Sequence, residues 1–547
     1  MKRYIGLLLI AVYAFLAGAC KAGTRPELIM DMVHHNPGDA LYESKFNHPQ
    51  TISEMGYDAK CFHLFDSPTL AIDWDGYNPE ILPAGSADRE WVETKAARLD
   101  SLYDECKACG IDVYAMADLV LLPKRLVEIY GLGENFGDPL DERIQDILRY
   151  QMRQCFKQFP QLDGLVVRIG ETYLEDAPFH KGNIINKSDA DKCIVPLLRL
   201  LREEICVKLG KKLVFRTWRS FDEDEDLYNY VSGCVEPHRN LFLGVKHCEG
   251  DFHRGNDYSR IQGQGRHKQV IEVQCAREYE GKGAFPNYIA RGVIDGFEED
   301  SALVKAGKMW CLRDMYRSGK LGGVWTWSRG GGWEGPYIKE ELWCDLNAWV
   351  VSRWAGNPEL SEEEIFNDFC RERLNLDETA AAIFREIALC SEHAVIRGIR
   401  SAVYPEDIYW LWTRDEYITF PEMPRDSAHC ATILGERDEA VAEWEHIVAL
   451  SEDFNSGDSH LNEVVRVTSR YGLQMFRIFR AVTRLAAIHQ SVTDEDKYPW
   501  LAEYDDAWEQ LAGIYAEFPE TCPTLYNRTV ILRTGKFPAD EVISSMR

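Results

Sequence analysis

The stretch Asp163-Gly-Leu-Val-Val-Arg-Ile-Gly-Glu171-Thr-Tyr-Leu-Glu175 decides how the rest of the chain is read. An apolar run closed by a turn signal predicts a strand buried on both faces, as strands of a parallel sheet are. The run ends in Gly170 and then a carboxylate, Glu171. In a barrel of parallel strands the residues just past the carboxyl ends line the active site. Glu171 is therefore the first candidate for chemistry, and it needs partners from other strands, since a lone loop glutamate carries no function.

Outward from this strand, short apolar runs alternate with amphipathic ones. Strands are expected over 28–33, 59–65 and 111–117, with helices over 88–108 and 144–156; Gly110 stands where a helix C-terminal glycine belongs. Downstream, helices are expected over 195–209 and 303–317, and strands over 212–218, 241–246, 270–275 and 322–327. Eight strands with helical crossovers predict a (β/α)8 barrel, the TIM barrel, over 27–358. An open doubly wound sheet would carry a Gly-rich phosphate turn after a strand, and none is present. After Asn357-Pro358 the pattern changes. Ser361-Glu-Glu-Glu364 is a capping box, and helical periodicity over 380–397, 438–454, 461–490 and 504–518 predicts an all-α C-terminal domain over 359–547.

Composition agrees with two domains: 547 residues, 45% hydrophobic, with 15 Trp, 25 Tyr and 23 Phe whose rings suit stacking on sugars. A net charge of −27 argues against a nucleic-acid or anionic-membrane surface. Lys2 and Arg3 precede an apolar run over 4–16 and then Ala-Gly-Ala-Cys20. This reads as a lipoprotein signal over 1–20, cleaved before Cys20, whose thiol takes the lipid. The expectation is an exported periplasmic or cell-surface protein that meets the membrane only through that anchor. The other fifteen cysteines are an odd number scattered along the chain, so no disulfide framework is expected. Cys106 and Cys109 form a single CxxC with no second pair and no nearby histidine, so neither a metal nor a cofactor is expected.

The strand ends bring polar groups into one ring: His34, His35, Asp66, Asp118, Glu171, Arg216, Lys246 to Asp251, Glu278, and Trp325 to Trp333. Carboxylates on several strands are what glycosidic cleavage requires, one to protonate the leaving oxygen and another to activate water.

Several of these segments resemble the α-glucuronidases of glycoside hydrolase family 67, collinearly from about Cys106 to Pro358. Gly110-Ile-Asp-Val-Tyr114 and Asp138-Pro-Leu-Asp141 resemble the third strand and the turn after it. Gly164 to Glu171 is similar to G-F-L-V-K-A-D-S-E, and Phe215-Arg-Thr-Trp218 to W-R-T-F. Val245-Lys-His-Cys-Glu-Gly-Asp-Phe252 is similar to V-K-N-G-P-I-D-F, Glu272-Val-Gln-Cys-Ala-Arg-Glu-Tyr279 to E-F-Q-I-T-Q-E-Y, and Gly332-Trp-Glu-Gly335 to a W-T-G turn.

The resemblance implies an exo-acting, inverting glycoside hydrolase releasing an α-linked uronic acid, or a related sugar, from polysaccharide-derived oligosaccharides. Glu171 falls on the general acid, and Asp251 and Glu278 on the carboxylates that activate water. Arg168, Arg216, Lys246 and Trp333 are the candidate substrate-binding residues; the alternative role for Arg216 is a salt bridge to Asp251. The resemblance also implies a homodimer through the helical domain. There are departures. Val167 replaces a family lysine, with Arg168 beside it on the opposite strand face. The short segment after Cys20 leaves no room for the domain that family members carry ahead of the barrel. His34, His35, Trp74 and Asp75 lie in the unmatched region 28–87 without a role. Two other readings are a non-catalytic glycan-binding lipoprotein and a uronate lyase, for which no Tyr/His base pair is evident.

Overall fold

A computed structural model of the chain describes residues 25–35, 43–133, 136–171, 174–249, 258–275, 285–330, 340–404, 420–521 and 538–547. Eight strands form its centre: β1 (Leu28–His34), β2 (Ala59–Phe62), β3 (Asp112–Leu119), β4 (Leu162–Ile169), β5 (Lys212–Arg216), β6 (Leu241–Lys246), β7 (Lys268–Gln274) and β8 (Leu321–Gly330). Each pairs in parallel with the next, and β8 pairs back with β1, closing the barrel. Strand alternation sorts the side chains into two cores. Leu28, Met30, Met32, Tyr114, Met116, Val166, Val214, Phe242, Val270, Trp325 and Trp327 fill the interior. Ile29, Val113, Leu165, Val167, Phe215, Val245 and Ile271 point outward beneath the helices. Gly164 is bare because a Cβ there would meet the Tyr114 ring and the Lys212 carbonyl oxygen, both at 2.5 Å.

Local boundaries depart from expectation for identifiable reasons. The second strand stops at Phe62, and a single 3-10 turn, Leu64–Asp66, replaces its end. The third strand continues to Leu119, so Asp118 lies inside it. The expected helix over 303–317 is two pieces, Ser301–Lys305 and Leu312–Arg317, with Gly307 at φ +70° between them. A two-stranded ribbon, Leu121–Pro123 with His180–Gly182, had no sequence signal. Helices α1 (Ala87–Ala108) and α2 (Glu142–Gln158) are capped by Ser86 and by Asp141, the last residue of Asp-Pro-Leu-Asp.

Helix α3 (Leu342–Gly356) follows β8 and is buried along nearly its whole length. Its Asn347 donates to the carbonyls of Cys275 and Asn287 and accepts from the backbone N–H groups of Ile289 and Ala290. The chain after β7 is thereby tied to the helical side. Then come α4 (Glu362–Glu372), with the Ser361–Glu364 capping box formed, α5 (Glu378–Ile399), α6 (Ser427–Asp453), α7 (Ser459–His489) and α8 (Tyr498–Glu517). Helix α6 begins well before residue 438 because Asp426 caps it, accepting from the His429 N–H. Trp444 stacks on Phe476 at 5.1 Å between α6 and α7, and one continuous apolar core joins these helices to the barrel's outer layer.

A buried acid ties the first and last strands to the helical side. Asp31, between Met30 and Met32, points away from the interior. It accepts from Thr326 Oγ1 at 2.6 Å and from Ser328 N and Oγ at 3.1 and 2.8 Å. Tyr57 stands 2.7 Å from the same threonine oxygen and donates to the Ala348 carbonyl, linking β1, β8 and α3. Burial pushes the Asp31 carboxyl up to about 6, the hydrogen bonds opposing only part of that. The fold therefore prefers the protonated acid, and this stability, complete below the unfolded value near 3.8, is lost as pH rises through about 6. Urea unfolding at about pH 4.5 and pH 7.5 should show the gap between Asp31→Asn and wild type moving by about 2 kcal/mol in favour of the variant. A gap that does not move contradicts this assignment.

Candidate active site at the barrel mouth

Alternation that places apolar residues inside the barrel also places charges there, near the carboxyl ends. Arg168 on β4 grips Asp118 on β3 through Nε and Nη2, both at 2.7 Å, and the pair is fully enclosed. Burial raises the Asp118 carboxyl against the pull of the Arg168 guanidinium. On the next strands Arg216 Nε donates to both Glu272 oxygens, at 2.8 and 3.0 Å. Lys246 stands 3.4 Å from Asp222, whose other oxygen accepts from Thr217 Oγ1 at 2.6 Å. These cations converge on one ring. Arg168, Arg216 and Lys246 lie 5.4, 4.9 and 4.2 Å from the Trp218 centroid. Arg216 is also caged by Trp325 and Trp327, at 5.9 and 5.1 Å.

Glu171 sits at the edge of this cluster. Its oxygens accept from Arg168 Nη1 at 3.4 Å and Arg219 Nη2 at 3.3 Å, and its side chain is 23% exposed. These contacts are longer than those that hold Asp118 or Glu272. Gly170 turns the chain there at φ +116°, and a Cβ would come within 2.9 Å of Trp218 Cδ1, so only glycine lets β4 end against that ring. Arg219 is itself held at φ +52°, ψ −132°, an unfavourable backbone for a residue with a side chain.

The ends of β1, β2 and β8 form an aromatic wall. His34 stacks on His63 at 4.6 Å and stands edge-on to Trp327 at 4.9 Å; His35 approaches His63 at 6.5 Å. Burial holds His63 well below the usual histidine range and brings His35 down to about 4, so both rings stay neutral.

The structure thus gathers Glu171, Arg168, Arg216 and Lys246. Asp251, Glu278, Trp333 and Cys20 lie outside the described residues. Arg216 is paired with Glu272, both projecting inward from strands that carry them to one height in the barrel. Asp66 pairs with Arg98, and its carbonyl accepts from Tyr103. Trp74 and Asp75, which the sequence left without a role, are respectively core and paired with Arg89 on the surface. Sequence reasoning passed over Trp218, Asp222, Glu272, Arg219 and His63. Glu272 had a signal, since a charge in the middle of a buried strand must find a partner. Among the described residues no cluster of histidine, cysteine and acid side chains is arranged for a metal, and no disulfide joins two of the described cysteines.

No protein-family model and no curated protein sequence matches the chain. Solved structures do. A GH138 enzyme targeting pectin rhamnogalacturonan II superposes with a TM-score of 0.52 at 13% identity, over 90% of this chain and 63% of that one. A GH84 structure superposes with a TM-score of 0.43 at 11% identity, over 96% and 78%. A mutant of the Thermobaculum terrenum O-GlcNAc hydrolase gives 0.42 at 9%, over 95% of each chain. The chain spans less than two thirds of the GH138 structure. These neighbours are glycoside hydrolases, none of them of family 67, and at such identities what is shared is the fold.

The Asp118–Arg168 pair can be tested by stability. Arg168→Met strands a buried acid and should cost about 3–5 kcal/mol in urea unfolding, most of it recovered by adding Asp118→Leu. A loss under about 1 kcal/mol in the single variant contradicts a closed pair.

Proposed function

We propose that the protein is a glycoside hydrolase of the inverting type, removing a terminal α-linked uronic acid, or a related sugar, from polysaccharide-derived oligosaccharides. The observation that carries this reading is Glu171, a partly exposed carboxylate at the end of β4, beside a cluster of inward-facing cations. Sugar acids need fixed positive charge, and a guanidinium matches a carboxylate in shape as well as charge. Likeness of the barrel to a GH138 glycosidase and the family 67 motifs point the same way.

In this reading Glu171 gives its proton to the leaving oxygen as the glycosidic C–O bond breaks. Asp251 or Glu278 takes a proton from the water that attacks the anomeric carbon from the opposite face. Inverting enzymes keep these carboxyl groups roughly 6.5–9.5 Å apart to admit that water. Arg216 holds the sugar carboxylate, Lys246 adds a point charge, and Trp333 contributes to sugar binding. Arg168, held by Asp118 through Nε and Nη2, orients Glu171 through Nη1. The signal ending at Cys20 tethers the enzyme to a bacterial membrane by lipid, and the helical domain pairs two copies.

Xylan-derived aldouronic acids and pectic oligosaccharides form the substrate panel. Glu171→Gln should lower kcat by about 10²–10⁴-fold on whichever is cleaved, with little change in substrate affinity. Turnover within a few-fold of wild type excludes Glu171 as the proton donor.

A further inference from the structure

Two buried polar groups at the barrel mouth keep hydrogen-bonding capacity that no described residue uses. Arg216, 1% exposed, spends only Nε on Glu272; Nη1 and Nη2 have no partner among the described residues. His63, 4% exposed, has its Nδ1 without a partner there as well. Folded proteins leave few such atoms unpaired, and an unpaired set at a barrel mouth points to something that binds there. The two groups are joined through one wall: Arg216 Cζ lies 5.1 Å from the Trp327 centroid, His34 stands edge-on to that ring, and His63 stacks on His34 at 4.6 Å.

We infer that His63 is a substrate-binding residue, its Nδ1 hydrogen-bonding a hydroxyl of the sugar whose carboxylate Arg216 holds. This rests on the reading of the mouth as a uronic-acid site. His63 is rigidly placed for the task. Its carbonyl accepts from the Asp66 N–H at 2.8 Å as the 3-10 turn begins, and Phe65 packs on its ring at 4.8 Å. Being neutral, it does not compete with Arg216 for the carboxylate. A hydroxyl both donates and accepts, so it satisfies either tautomer of the ring. Arginine thus reads the acid, and histidine reads the hydroxyl pattern.

Binding of D-glucuronic acid, D-galacturonic acid, D-glucose and D-galactose to the full chain, followed by calorimetry, tests this. His63→Asn keeps an amide near the place of Nδ1, whereas His63→Gln carries it out towards the place of Nε2. Both lose the stacked ring, so the contrast between them reports Nδ1 alone. Wild type should bind a uronic acid. His63→Ala and His63→Gln should raise Kd by about five- to tenfold, with His63→Asn within about twofold of wild type. Wild-type affinity in His63→Ala, or equal rescue by glutamine and asparagine, overturns the role of His63 and leaves the site reading standing. If wild type binds neither uronic acid, the site reading falls and this inference with it.

Discussion

The ion pair between Arg216 and Glu272 is the constraint on which the barrel mouth depends. Closing eight strands leaves an inner face almost without water, where an unpaired charge is expensive. Glu272 is fully enclosed, and Arg216 reaches it with one nitrogen while tryptophan rings cover the guanidinium's faces. A buried pair of this kind adds little net stability, because desolvation offsets most of the attraction. What it does is fix direction. Glu272 holds Nε, so the guanidinium cannot rotate, and its other two nitrogens keep one orientation.

The remaining charges are graded by how closely they are held. Asp118 and Arg168 are locked together and behave as framework. Arg216 is half used. Glu171, at the solvent edge, meets Arg168 and Arg219 at longer distances, and it is more exposed than Asp118 or Glu272. That ordering runs from the barrel interior to its mouth, and it separates groups that hold position from groups able to meet a substrate. The strained backbone at Arg219 and the bare Gly170 against Trp218 lie at the boundary, where the strand ends must pack closely yet leave a carboxylate accessible.

Much of this was legible in the sequence. Apolar runs ending near Ile169 and Lys246, in a chain where such runs alternate with amphipathic helices, allow few architectures besides a parallel barrel, and Glu171 stood out because it follows such a strand so closely. Arg168, Arg216 and Lys246 were visible as charges in apolar runs. Their partners were not, because pairing depends on relative strand height, which register sets and one chain's pattern does not reveal. Glu272 accordingly went unnoticed as the partner of Arg216. His63 was hidden for another reason: the second strand reads as continuing to Phe65, and only the 3-10 turn after Phe62 turns that histidine onto His34.

Stereochemistry tests the central claim, a single displacement with Glu171 as proton donor, most directly. Proton NMR of an α-linked uronosyl oligosaccharide during the first minutes of reaction should show the released sugar appearing as the β-anomer before mutarotation. Release of the α-anomer first, or of an unsaturated product, would contradict it.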